Sequence, residues 1–132
     1  MTILVCGSRK WRDAIAVHLA LACEPRMCRR GDEDILVLHG NAGGHDPLTG
    51  ATMGADKIAD REARGLGYEV HSFPADWKRY GKAAGPIRNR LMLDEDPDLV
   101  LAFGGGRGTL DTITEAERRG IPVRRFGKLE AA

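Results

Sequence analysis

The sequence predicts an α/β protein: a single Rossmann-like domain with a five-stranded parallel sheet in the order 3-2-1-4-5 and helices on both faces. Two observations support this prediction. Short apolar segments alternate along the chain with segments of helical periodicity, which requires right-handed crossovers between parallel strands. Glycine-rich turns also follow the first, second and fourth strands, at the sheet edge where such folds bind ligands.

Length and composition set the limits of this prediction. A chain of 132 residues is expected to form one domain, spanning 1–132. The net charge is +1, with 30% charged and 42% hydrophobic residues. A charge this small produces no general electrostatic attraction to nucleic acid or to a membrane surface. The apolar stretches are too short to cross a membrane, so we expect a cytoplasmic protein. The cysteines and histidines lack ligand spacing, so we expect no disulfide, metal or cofactor.

The first strand, Thr2–Cys6, is apolar throughout and leads into a glycine turn. The next helix is predicted over Ala14–Glu24, capped by Asp13 and ended by Pro25. This helix is apolar nearly all round, which is typical of a core helix or an interface, and we expect a homodimer. The polar stretch Arg26–Asp34 is predicted to be a surface connection.

The second strand, Ile35–His39, is followed by an unusually long loop that contains Gly40 and ends at Gly54. Loops of this length are usually functional or disordered, and glycines here could wrap a ligand. The helix that follows begins at Ala55 and has Asp56 in its first turn. Two interpretations of this carboxylate stay open: it offsets the helix dipole, or it accepts a hydrogen bond from a ribose hydroxyl.

The third strand, Tyr68–Phe73, is expected near an edge of the sheet because it only partly alternates. In the loop after it, Trp77 either stacks on a base or plugs the end of the core, with the packing role slightly favoured. Pro86 suits the first position of a helix that continues to about Asp94. Arg88 then lies one turn inside that helix, where its guanidinium could fork onto a phosphate.

The fourth strand, Leu99–Phe103, leads directly into a glycine-rich loop, and Thr109 is predicted to cap a helix over Leu110–Arg119. A fifth strand is predicted over Pro122–Phe126. Glycines let backbone N–H groups approach an anion, and the first amides of a helix add partial positive charge. The loops after strands one and four are expected to form one pocket where the strand order reverses.

Several motifs make the prediction more specific. In chain order they are Gly7-Ser8-Arg9-Lys10-Trp11, Gly54-Ala55-Asp56-Lys57-Ile58-Ala59, Pro74-Ala75-Asp76-Trp77, Tyr80-Gly81-Lys82-Ala83-Ala84-Gly85-Pro86-Ile87-Arg88-Asn89, Met92 and Gly108-Thr109-x-Asp111. Together they resemble the YspA-like group of the SLOG superfamily, which also contains the DNA-processing protein DprA/Smf and the Lonely Guy nucleotide hydrolases. The resemblance covers nearly the whole chain. It implies a Rossmann-like domain that binds a nucleotide or a nucleotide-derived ligand.

The resemblance also assigns roles to individual residues. The phosphate-loop role falls on Gly105, Gly106, Gly108 and Thr109, the first-loop role on Gly7, Ser8 and Arg9, and the anion-binding arginine role on Arg88. With the residues identified above, the predicted ligand-binding set is Gly7, Ser8, Arg9, Gly40, Gly54, Asp56, Trp77, Arg88, Asn89, Gly104, Gly105, Gly106, Gly108 and Thr109.

The chain departs from the resemblance at two places. Lonely Guy enzymes carry Pro-Gly-Gly-x-Gly-Thr-x-x-Glu, whereas here Gly104 replaces the proline and Thr112 the glutamate. Asp111 points about 100° away from that position on a helix and does not simply replace the glutamate. The candidate catalytic carboxylates are Asp56 and Asp111, either of which would act as the acid or base of a hydrolase, with Arg9 and Arg88 holding the phosphate. The second departure is an insertion, His45–Thr52, which either reshapes ligand choice or is a disordered decoration.

Three functions follow from these observations. The favoured hypothesis is a binding module that senses or sequesters a nucleotide-derived small molecule. The second is a hydrolase of an N-glycosidic or phosphate bond in a nucleotide. The third is single-stranded nucleic-acid binding through Arg88, Arg90 and the loop Trp77–Lys82, which the near-neutral net charge disfavours.

Overall fold

The computed structural model of the protein describes residues 1–28 and 34–128. The strands are β1 (Thr2–Gly7), β2 (Leu36–His39), β3 (Gly44–His45), β4 (Thr52–Met53), β5 (Glu69–Ser72), β6 (Leu99–Phe103) and β7 (Val123–Phe126). The helices are α1 (Ala14–Cys28), α2 (Ala55–Gly65), α3 (Trp77–Tyr80), α4 (Ala84–Leu93) and α5 (Arg107–Arg118), with a 3₁₀ turn at Gly81–Ala83.

The main sheet has the order β5-β2-β1-β6-β7, and each pair of neighbours is parallel. This confirms the predicted 3-2-1-4-5 order and the edge position of the third strand. The central strand β1 pairs with β2 on one side and with β6 on the other. Because the chain passes to opposite sides of β1, the loops after β1 and β6 leave the sheet as neighbours at the point where strand order reverses.

Alternate residues of β1 face two separate cores. Ile3 and Val5 pack in the core that α1 and α2 cover, and Leu4 lies in the core that contains α4 and α5 residues. On the first side, the ring of Phe103 stacks on Phe126 at a centroid distance of 4.8 Å. Both faces of the sheet are therefore buried, which explains why β1 and β6 are apolar without alternation.

Helix α1 corrects one prediction. Asp13 caps it as expected, since its Oδ1 accepts from the Ala16 amide at 3.0 Å. The helix continues past Pro25 to Cys28, although Pro25 has no N–H to donate to the Leu21 carbonyl. The Tyr68 hydroxyl donates to that carbonyl at 2.9 Å and replaces the missing bond. Of the predicted connection after the helix, residues 29–33 lie outside the described residues.

Two other helix starts lie earlier than predicted. Helix α4 begins at Ala84 because the 3₁₀ turn leads directly into it, so Pro86 is its third residue, a position whose N–H would have no helical partner. Helix α5 begins at Arg107 and its N-cap is Gly106, which has extended backbone angles. The prediction that Thr109 is the N-cap is wrong: Thr109 is buried inside the first turn.

The insertion His45–Thr52 forms part of a short antiparallel hairpin, β3–β4, and not a disordered decoration. Buried Asp46 organises its turn: Oδ1 accepts from the amides of Leu48 and Thr49, and Oδ2 pairs with Arg12. These three interactions hold the pKa of Asp46 below its usual value. The hairpin is therefore tied to the segment that follows β1.

Helix α1 keeps two large apolar side chains, Ile15 and Leu19, exposed to solvent. Its other face packs in the core through Val17 and Leu21. The predicted homodimer remains a prediction. None of the helices in the described ranges has the length and apolar character that crossing a membrane requires.

The contact that replaces the Pro25 bond can be tested with two substitutions. Tyr68→Phe removes the donor to the Leu21 carbonyl and keeps the ring, so we expect it to lower the free energy of unfolding by about 1 kcal/mol. In a Pro25→Ala background the new N–H can donate to that carbonyl, so the same substitution should cost less. Urea unfolding of the four proteins measures the difference, and equal costs in both backgrounds would contradict this account.

Candidate functional site

A cleft with a volume of about 350 Å³ lies at the carboxyl ends of β1, β2 and β6. We call it the phosphate cleft, after the group that we propose it binds. The glycine turns after these three strands meet there, as expected. Of the predicted ligand-binding residues it is lined by Gly7, Ser8, Arg9, Gly40, Asp56, Arg88, Asn89, Gly106, Gly108 and Thr109.

One wall of the phosphate cleft is the first turn of α5. The first backbone bond of this helix is Leu110 N–H to Gly106 O, so the amides of the preceding three residues have no intrahelical acceptor. The Gly108 carbonyl accepts from Asn89 Nδ2 at 3.3 Å and from Thr112 Oγ1 at 3.2 Å. These two contacts fix the turn, whose free amides favour an anion.

Four cationic side chains line the phosphate cleft: Arg9, Lys10, Arg88 and Arg107. All except Arg88 are exposed. Arg88 Nη1 donates to Gly40 O at 2.6 Å, and Arg88 Nε donates to Asn89 Oδ1 at 2.9 Å. No described residue accepts a hydrogen bond from Nη2 of Arg88, which leaves that nitrogen for a ligand. Burial lowers the pKa of Arg88, and the nearby Asp56 carboxyl opposes this shift.

Asp56 lies in the first turn of α2, and the residue is only 6% exposed. Its Oδ2 accepts from the amides of Gly40 and Ala42, at 3.2 and 3.1 Å, and so holds the loop after β2. Its Oδ1 has no hydrogen-bond partner among the described residues. In that part of the chain it is the one buried side-chain nitrogen or oxygen atom of which this is true. Burial raises the pKa of Asp56, against the lowering effect of the two amides.

The same loop is held from a second side by His39, which is fully buried. The Asn41 amide donates to His39 Nδ1 at 3.0 Å, so the ring proton must be on Nε2. That nitrogen lies 2.7 Å from Asp60 Oδ2 and donates to it. The backbone of Asn41 has a positive φ of 59°, and the His39 contact stabilises this turn.

A second cleft, of about 500 Å³, adjoins the first, and we call it the ring cleft, after the part of the ligand that we propose it holds. The two clefts have five lining residues in common: Arg9, Lys10, Gly40, Ala42 and Arg88. The hairpin forms one side of the ring cleft and Trp77 the other. Trp77 is 50% exposed, so the slightly favoured prediction that it plugs the core is wrong.

Four other predicted residues line neither cleft: Gly54, Gly104, Gly105 and Asp111. Gly105 supports the turn, because its φ is +102° and a Cβ there would lie 2.1 Å from Thr109 Oγ1. Gly104 lies against the Trp11 ring. Asp111 accepts from Asn89 Nδ2 at 3.2 Å and pairs with Arg90 at 3.4 Å. It therefore orients Asn89 from outside the phosphate cleft.

Sequence reasoning did not assign Lys10, Arg107 or Thr112 to the site, and all three line the phosphate cleft. Lys10 and Arg107 lie within the glycine turns after the first and fourth predicted strands. Assigning every residue of these turns to the site would therefore have included both. Thr112 follows Gly108 by one helical turn, the spacing at which its hydroxyl reaches that carbonyl. Among the described residues no three His, Cys, Asp or Glu side chains form a group that could hold a metal ion.

Comparison with known proteins identifies a relative. No family model matches the sequence. The chain is 39% identical over 132 residues to the Gene 61 protein of Mycobacterium phage D29, covering 95% of each chain. The chain belongs to the Gene 61 protein family. A solved structure with the same fold is the X-ray structure of TM1055, a structural genomics target, with a TM-score of 0.60 and 18% identity over 92% of this chain and 71% of that chain. This likeness shows the Rossmann-like α/β fold of this Gene 61 family member.

The buried Asp56 charge should cost stability. Burial raises the pKa of Asp56 in the folded state, so folding favours the protonated carboxyl. The resulting contribution to the free energy of unfolding is present at low pH and is lost as the pH rises through the folded-state pKa. We expect Asp56→Asn to keep an oxygen for the Gly40 and Ala42 amides and to raise the melting temperature at pH 7 by a few degrees. The difference should shrink below about pH 4, where an unfolded-state Asp is protonated. Thermal unfolding across pH measures it, and a variant less stable than wild type at pH 7 would contradict the prediction.

Proposed function

We propose that this Gene 61 family member binds a nucleotide or nucleotide-derived ligand, with the phosphate in the phosphate cleft and the ring in the ring cleft. The observation that carries the proposal is the convergence of the free amides of the α5 first turn with Arg9, Lys10, Arg88 and Arg107. A helix N-terminus and several cations around one cleft favour a multiply charged anion such as a phosphate ester.

The ring cleft supports a nucleotide over a simple phosphate. It continues directly from the phosphate cleft, and Trp77 offers a half-exposed aromatic face on its wall. Base–aromatic stacking contributes about 1–3 kcal/mol per base. Met53 and Pro74 add apolar surface to the same cleft. Membership of the YspA-like group of the SLOG superfamily, which the motifs suggest, is part of this proposal.

One observation favours a second candidate, hydrolysis of an N-glycosidic or phosphate bond in the bound nucleotide. Asp56 places a buried carboxyl with a raised pKa in the phosphate cleft, as a general acid requires. Asp111 supports this candidate less, because it is engaged by Asn89 and Arg90 outside the cleft. The nucleic-acid hypothesis has less support, because Arg90, one of the two arginines it requires, pairs with Asp111 and lines neither cleft.

The proposed homodimer would use the exposed Ile15 and Leu19 of α1. It is independent of ligand binding, and light scattering with a Leu19→Glu variant tests it. The proposed cytoplasmic location is likewise independent of the site.

The binding proposal is tested with a panel of nucleoside mono- and diphosphates in calorimetric titrations. Arg9 is exposed in the phosphate cleft, so Arg9→Ala removes a charge there. We expect it to weaken the affinity for the bound nucleotide about ten- to hundredfold, the value of one charge-assisted hydrogen bond. Arg61→Ala is the matched control, since Arg61 is exposed on α2 and lines neither cleft.

Mass spectrometry of the nucleotide after long incubation separates the two functions. Intact nucleotide supports binding alone, and a free base or free phosphate that disappears with Asp56→Asn supports hydrolysis. The absence of affinity for every nucleotide in the panel would overturn the proposal.

The stacking role of Trp77 gives a separate prediction. Trp77→Ala should weaken binding of a nucleoside monophosphate about tenfold or more and leave the affinity for ribose 5-phosphate unchanged. Trp77→Phe keeps an aromatic face and should retain most of the affinity. Binding should also quench tryptophan fluorescence in wild type and not in Trp77→Phe, because the other tryptophan, Trp11, packs against Phe103 outside both clefts. Equal losses for both probes would show that Trp77 acts only on the fold.

A further inference from the structure

We propose that Asp56 determines specificity in the phosphate cleft by accepting a hydrogen bond from a sugar hydroxyl of the ligand, so that the site selects a ribose phosphate. This inference rests on the proposed nucleotide binding and adds a part of the ligand to it. Its basis is the unequal use of the two oxygens of one buried carboxyl: Oδ2 binds the Gly40 and Ala42 amides, and Oδ1 has no partner among the described residues.

The fold accounts for only one of these oxygens. The two bonds to Oδ2 explain how the loop after β2 is held against α2, and a side-chain amide with one oxygen would make both of them. The position of Asp56 in the first turn of α2 does not explain Oδ1 either, because an exposed carboxylate offsets a helix dipole equally well. A buried polar atom without a partner is costly, which makes a ligand the expected partner.

The neighbouring cations do not supply a hydrogen bond to Oδ1 of Asp56. The charge of Arg88 acts on Asp56, but the hydrogen bonds of Arg88 go to Gly40 O, Phe73 O and Asn89 Oδ1. Arg9 is exposed at the mouth of the cleft. Oδ1 therefore has no partner among these cations, and Asp56 lines a cleft whose other charged groups attract an anion.

The chemistry of the ligand decides which group reaches Oδ1. A phosphate oxygen carries negative charge and is repelled by a carboxylate, so the partner is a donor close to the phosphate. The base has donors as well, but Asp56 lines only the phosphate cleft and Trp77 lines only the ring cleft. The sugar joins phosphate to base and carries hydroxyl groups, so a sugar hydroxyl is the donor that this placement fits.

The test compares three nucleotides on wild-type protein: adenosine 5′-monophosphate and its 2′-deoxy and 3′-deoxy analogues, in calorimetric titrations. We expect at least one deoxy analogue to bind about tenfold or more weakly than adenosine 5′-monophosphate. The analogue lacks the hydroxyl that donates to Oδ1, so the buried oxygen is left without a partner in its complex. Equal affinity for all three would overturn the inference while leaving the proposed function intact. If none of the three binds, nor any other nucleotide in the panel, both fail together.

The Asp56→Asn variant locates the effect. Asparagine retains one oxygen for the Gly40 and Ala42 amides and places an NH₂ donor where Oδ1 stands. A sugar hydroxyl can accept from this NH₂, but the bond is no longer charge-assisted, so the preference for the ribonucleotide should become smaller. Affinity for inorganic phosphate should be equal to wild type or higher, since a negative charge is removed; a loss for phosphate as well would show that Asp56 only supports the loop. Asp13→Asn is the matched control: it removes a carboxylate from the start of α1, lines neither cleft, and should keep the preference.

Discussion

The structure of the site depends on the way the loop after β2 is held between two helices. Asp56 of α2 accepts the amides of Gly40 and Ala42, and Arg88 of α4 donates to the Gly40 carbonyl. The fit at Gly40 leaves no room for a side chain, because a Cβ there would lie 2.2 Å from Arg88 Nη1. One glycine therefore connects α2, β2 and α4, and this connection fixes the position of the shared boundary between the two clefts.

Much of the fold could be predicted from the sequence because its determinants are local. Strands buried on both faces read as unbroken apolar runs, as in Thr2–Cys6 and Leu99–Phe103, and the alternation with helices limits the connections to a few topologies. The end of α1 could not be predicted in this way. A proline normally ends a helix, and the compensating donor, Tyr68, comes from a segment distant in sequence that reaches Leu21 only in the folded chain.

The position of the candidate site could be predicted from the sequence, but the residues that line it could not all be predicted. Glycine turns at the ends of parallel strands indicate which edge binds a ligand, and the turns after β1, β2 and β6 do meet in one cleft. Which residues of each turn face the cleft depends on backbone angles that composition does not give. Gly104 and Gly105 turn toward Trp11 and Thr109, whereas Arg107 between the glycines lines the cleft.

The two clefts differ in what builds them. The phosphate cleft is made by the sheet edge, by the first turns of α2 and α5, and by α4 through Arg88, Asn89 and Met92. The ring cleft depends on the β3–β4 hairpin, which the Arg12–Asp46 pair ties to the segment after β1. A change in hairpin length would thus act first on the space beside Trp77, since the hairpin residues Gly44, His45 and Met53 line the ring cleft and not the phosphate cleft. Under the proposed function, the bound ring could therefore change while most of the residues that contact the anion stay the same, because the two clefts share only five lining residues.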